Sequence, residues 1–153
     1  MDFHYTPLLQ RLFTASRELA SAHHNEFLTP EHLLLACVQA DLFKGIVPLD
    51  RLEALRAALV EVLDRDLTTS SEPPEPSFLW QRLEHFAALQ ALGSQVQTLD
   101  ITHYLSALYS LEHSFAAQLA ERYLGEKGFL LSALIDRLSA DPDTPHNAHR
   151  AGT

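Results

Sequence analysis

His23, His24, Glu26 and His32 stand close together early in the chain. Imidazoles and carboxylates are zinc ligands, but a closed structural zinc site needs four ligands converging from defined spacings. This run contains neither His-x-x-x-His nor Cys-x-x-Cys. No metal site is assigned to it; His23 and His24 are at most a place where adventitious metal collects. The rival reading is a small hydrolase or metalloenzyme built on His23–His32, which stoichiometric metal and turnover would reveal. The one cysteine, Cys37, lies among leucine, alanine and valine. A reactive thiol needs a positive, partly open setting, so a buried, inert thiol is expected. A single cysteine also excludes an intrachain disulfide. No Gly-x-x-x-x-Gly-Lys-Ser/Thr occurs, so no P-loop binds ATP here. The sequence assigns no catalytic residue and no cofactor.

The carboxylates read differently. Glu31 lies in the run Thr29-Pro30-Glu31-His32-Leu33-Leu34-Leu35-Ala36-Cys37-Val38. Thr29 has the chemistry of a helix N-cap, Pro30 suits the first helical position, and Glu31 complements the positive end of the dipole. The residues that follow leave almost no polar face, so this short helix is expected to be central and buried on most sides. His32 and His103 are read as capping a helix start through a ring nitrogen.

Composition bounds the reading. The 153 residues suit one domain, and a 46% hydrophobic content can supply its core. A net charge of −9 gives no basic footprint for nucleic acid. No apolar run is long enough to span a membrane, and Met-Asp-Phe-His-Tyr does not open a signal peptide. A cytoplasmic setting is expected.

The elements follow from apolar periodicity and caps. The spacing predicts helices over 6–24, 29–40, 50–66, 77–93, 101–110, 113–124 and 129–138, with one short turn over 41–47 broken by Gly45 and Pro48. In the helix over 77–93, Phe78, Leu79, Leu83 and Phe86 read as the buried stripe, with Trp80 off it and partly exposed. Thr68 to Pro76, rich in Thr, Ser, Glu and Pro, is a linker. The polar stretch 141–153 reads as a flexible tail.

The chain then repeats itself. Gln10-Arg11-Leu12 matches Gln81-Arg82-Leu83; Leu28-Thr29 falls on Leu99-Asp100 and His32 on His103; Leu63-Asp64-Arg65 falls on Ile135-Asp136-Arg137. The order of the matches, and cap falling on cap, indicate a duplication.

This pattern, above all Glu26-Phe27-Leu28-Thr29-Pro30-Glu31-His32-Leu33-Leu34-Leu35-Ala36, resembles the Clp N-terminal domain that fronts Clp-type AAA+ unfoldases. The proline linker before Ser77 and the weaker second motif, Asp100-Ile101-Thr102-His103-Tyr104-Leu105, look most like the ClpA branch. The resemblance implies an all-α, eight-helix, pseudo-twofold bundle of two tandem four-helix repeats: a domain over 1–140, with repeats over 3–67 and 77–138 and a linker over 68–76. It implies no catalysis. It implies docking of a ClpS-like adaptor and of unfolded or tagged substrates, with a Clp ATPase module in cis or in trans, either as the front of an unfoldase or as a free-standing regulator. Glu26, Thr29 and Glu31, extended by Glu75, Pro76 and Ser77, are the expected docking residues, the carboxylates only partly buried. The ClpC branch reads phosphoarginine with a glutamate from each repeat; Glu31 matches the first, but Thr102 replaces the second, which argues against that activity here.

Overall fold

The computed structural model describes residues 3 to 140; the tail expected over 141–153 lies outside the described residues. The architecture is all-α. Helix α1 spans Pro7–Ala22, α2 Pro30–Gln39, α3 Leu49–Glu61, α4 Phe78–Gly93, α5 Ile101–Tyr109, α6 Phe115–Leu124 and α7 Lys127–Ser139. Among the described residues four two-residue strands accompany them: β1 His4–Tyr5, β2 Phe27–Leu28, β3 Glu75–Pro76 and β4 Thr98–Leu99.

Seven α-helices, rather than eight, form among the described residues. The missing one is the third helix of the first repeat, where residues 41–47 make successive turns. Asp41 and Gly45 there take positive φ (58° and 83°), and Pro48 follows. A left-handed residue interrupts helical hydrogen bonding, and a proline restricts the residue before it. Arg137 of α7 holds the turns in place, donating to the carbonyls of Leu42 at 2.7 Å and Lys44 at 2.6 Å. The α3 boundary also differs from expectation. Pro48 is its N-cap and Asp50 lies in its first turn. It ends in a π-helical turn over Val62–Asp66.

The caps recur with the duplication. Thr6 Oγ accepts from Leu9 N–H (3.2 Å) at the start of α1, and Ser77 Oγ from Trp80 N–H (3.0 Å) at the start of α4. Thr29 begins α2 and Asp100 begins α5, and both form capping boxes closed by a histidine. The backbone N–H of Thr29 donates to His32 Nδ1 at 2.9 Å, and that of Asp100 to His103 Nδ1 at 3.0 Å. The hydroxyl of Thr29 is turned onto the same His32 nitrogen, 3.0 Å away. Even the chain reversals match: His24 after α1 and Gln95 after α4 both adopt positive φ, 56° and 58°.

Helix α2 is the centre, as its composition predicts. Every residue from Pro30 to Val38 is buried, and the helix touches α1, α3, α4 and α6. Cys37 is fully buried there, and burial pushes its thiol pKa up, away from nucleophilic chemistry. In α4 the buried face is Trp80, Leu83, Ala87 and Ala91, so the expected roles of Phe78 and Trp80 are exchanged. Trp80 is 4% exposed and Phe78 70%. Apolar residues occur on both faces of α4, so periodicity alone does not choose between them. Phe13 of α1 decides it, offering its ring to Trp80 and to Tyr104 in edge-on contacts at 5.9 and 5.1 Å.

The strands cross the two repeats. β2, which precedes α2, pairs in parallel with β3, which precedes α4; β1, which precedes α1, pairs in parallel with β4, which precedes α5. The bonds are pseudo-twofold mates. Glu75 N–H donates to the Glu26 carbonyl and Ser77 N–H to that of Leu28; His4 N–H donates to the Gln97 carbonyl and Thr6 N–H to that of Leu99. Each repeat therefore lends a strand to the other.

Candidate docking surface

The β2–β3 pair brings together Glu26, Glu75, Pro76 and Ser77, the residues that the resemblance groups. Glu26 is half-buried and oriented: its carboxylate accepts from Thr68 Oγ1 at 2.9 Å, while its N–H donates to the Thr68 carbonyl at 2.8 Å. Glu75 and Pro76 are exposed. Ser77 is half-buried, its hydroxyl used as the cap of α4. Thr29 is buried under the ridge.

Glu31 is not on this surface, which corrects the expectation that it stands partly exposed. It is 3% exposed, and its Oε2 accepts from the backbone N–H of Ala116 in the first turn of α6, at 2.8 Å. The carboxylate thus lies between the positive N-terminal ends of α2 and α6 and takes up one of α6's orphan donors. Burial raises its pKa, and the hydrogen bonds from Ala116 and Thr29 oppose that rise.

Sequence reasoning missed Phe27, which is 38% exposed at the crest between Glu26 and Leu28. The repeat offered the signal. Phe27 falls on Thr98, Glu26 on Gln97, Glu75 on His4 and Pro76 on Tyr5. One mini-sheet carries two carboxylates and a phenylalanine, and its pseudo-twofold mate carries no carboxylate. The backbone needs neither charge, so the difference lies in what the ridge presents.

The histidines disperse. His23 Nδ1 lies 2.6 Å from Asp64 Oδ1 on the π-helical turn. Both nitrogens of His32 are committed, since Nδ1 accepts from Thr29 and the proton therefore sits on Nε2, which donates to Asn25 Oδ1 at 2.8 Å. Asn25 Nδ2 donates in turn to the Leu63 carbonyl at 2.8 Å, tying α2 to the end of the first repeat. Among the described residues no three histidine, cysteine or acidic side chains converge on a metal position.

His32 is fully buried, and burial lowers its pKa from the ordinary 6.5 to about 4, helped by the charge of His23 and opposed by the bond from Thr29. The unfolded chain therefore binds a proton between those values that the folded chain does not. The stability this neutral ring confers is complete above about pH 6.5 and is lost as pH falls toward 4. Lowering the pH from 7 to 5 is expected to cost about 2 kcal/mol through this group. Urea denaturation of the wild type and His32→Gln at both pH values checks it: the variant loses markedly less on acidification.

A bundle of two helical repeats with crossed strands defines the class: the chain has the fold of Clp-type N-terminal domains. It is similar to the N-terminal domain of the caseinolytic protease associated chaperone ClpD from Arabidopsis thaliana, at TM-score 0.65 and 20% identity over 90% of this chain and 96% of that one. It is also similar to the Hsp104 N-terminal domain from Candida albicans, at TM-score 0.64 and 16% identity over 92% and 94%. A chain from a malarial protein secretion system matches at TM-score 0.68 and 16% identity over 90% and 97%. No protein-family model and no curated protein sequence matches the chain. Among the described residues no helix is long and apolar enough to cross a membrane.

Proposed function

We infer that this chain is a docking module for a Clp-type ATPase in cis or in trans, with no chemistry of its own. The ridge of Glu26, Phe27, Glu75 and Pro76, with Thr29 and Ser77 behind it, receives a ClpS-like adaptor or an unfolded or tagged substrate. The setting this reading implies is cytoplasmic. The observation that carries it is the charge asymmetry between the two mini-sheets: each presents an exposed aromatic ring, Phe27 on one and Tyr5 on the other, but carboxylates flank only Phe27. An aromatic anchor with a charged rim is the composition of a binding hot spot, and clustered carboxylates steer basic partners and raise the association rate.

Reversing Glu26 and Glu75 to lysine is expected to weaken binding of a ClpS-like adaptor by about 2 kcal/mol, the lower end for charges that lose a desolvated partner. Folding is expected to persist, because neither side chain is buried. Calorimetry against the adaptor, with circular dichroism as the folding control and His4→Lys on the mate sheet as the surface control, decides it. Wild-type affinity in the folded double variant would move the docking surface elsewhere.

A further inference from the structure

The outer face of α4 is apolar where a surface helix should be polar. Opposite the buried Trp80, Leu83, Ala87 and Ala91, helical spacing places Phe78, Arg82, His85, Leu89 and Leu92. Phe78 is 70% exposed, Leu89 50% and Leu92 45%. The fold supplies its own control, since α1 is the pseudo-twofold mate of α4. At the corresponding positions α1 carries Pro7, Arg11, Thr14, Glu18 and Ser21, an ordinary solvated face. The repeat therefore does not require leucine or phenylalanine there, and exposed apolar stripes of this kind mark contact surfaces.

The same comparison shows what the face lacks. Arg11 shares its face with the carboxylate of Glu18; Arg82 has Leu89 in that place. Among the described residues Arg82 has no carboxylate in ion-pair contact. Its guanidinium is instead held over the rings of Phe86 and Phe78, at 4.9 and 5.7 Å. In a chain of net charge −9 this face presents a cation set among apolar side chains. It extends along the 16 residues of α4, about 24 Å, which matches a second helix laid along it.

We propose that the outer face of α4 binds an amphipathic helix of a partner protein, its apolar stripe on Phe78, Leu89 and Leu92 and a carboxylate on Arg82. Such helix recognition is read through anchors at helical spacing, and the guanidinium sets which helix is accepted. The surface is separate from the β2–β3 ridge and does not rest on the reading of that ridge.

The test uses the full chain and two alanine-based helical peptides with the same leucine stripe, one bearing a central glutamate and the other lysine there. Fluorescence anisotropy is expected to show the glutamate peptide binding at least about tenfold more tightly, with Arg82→Glu inverting the preference. Leu89→Glu, which installs the residue type found on α1, is expected to weaken the glutamate peptide at least about tenfold with an unchanged melting temperature. Phe78→Ser provides the same test at a more exposed position. Glu26→Lys with Glu75→Lys leaves peptide affinity unchanged, which separates this face from the ridge. Equal affinity for the two peptides, no binding of either, or full affinity in Leu89→Glu overturns the proposal. A dimer of the chain that Leu89→Glu dissolves assigns the face to a second copy and overturns it as well.

Discussion

Glu31→Lys is expected to abolish cooperative folding at 37 °C, at a cost of at least about 3–5 kcal/mol, whereas Glu31→Gln is expected to fold. The site explains the contrast. The carboxylate is buried, accepts from the Ala116 N–H, and stands between the positive ends of α2 and α6. Lysine there would bury a cation against two like-signed dipoles and leave the amide of Ala116 without an acceptor. Uncompensated buried charges cost in that range, a large part of the total stability of an ordinary domain. Glutamine keeps a carbonyl oxygen for the Ala116 amide and removes the buried charge whose desolvation raises the pKa of Glu31. The sign of its pH dependence follows. Because the folded pKa is raised, the wild type gains stability relative to Glu31→Gln as pH falls from above that folded value toward the ordinary carboxylate value. Guanidinium denaturation of both variants checks these statements; a Glu31→Lys protein with wild-type midpoint and slope would return Glu31 to the surface.

The example shows where local chemistry is legible and where it ends. Caps were legible because a cap is decided within four residues: Thr29, Ser77 and Asp100 begin helices as read, and His32 and His103 close their boxes through a ring nitrogen. The buried centre at α2 was legible because Leu33 to Val38 leave no polar face to expose. The fate of Glu31 was not, because its partner lies at Ala116, in the other repeat. In α4 the inward face is chosen by Phe13 of another helix, so Trp80 and Phe78 exchanged roles. The third helix of the first repeat gave way to turns where Asp41 and Gly45 turn left-handed. Strands of two residues carry no periodicity, so the crossed pairing was invisible, and with it the place of Phe27 on the ridge. The ridge residues Glu26, Glu75, Pro76 and Ser77 were named from the resemblance, and their juxtaposition follows from that crossing.

The account depends on the two repeats being one inseparable unit. Each lends the other a strand, Glu31 of the first holds α6 of the second, and Arg137 of the second holds the turns of the first. The proposed docking ridge exists only where β2 meets β3. Residues 1–70 contain β1 and β2 without their partners, and the exposed apolar faces of α1 and α2 have nothing to bury against. A half-domain of this size is at the margin of what one core can stabilise even when complete. The most direct measurement is the thermal transition, by circular dichroism, of residues 1–70 alone, of 71–140 alone, and of the two mixed. The account predicts no cooperative transition in either fragment and a cooperative transition, with restored helicity, in the mixture. A cooperative melt of residues 1–70 by themselves would contradict it: the repeats would be independent domains, and the seam that forms the ridge would be an accessory contact.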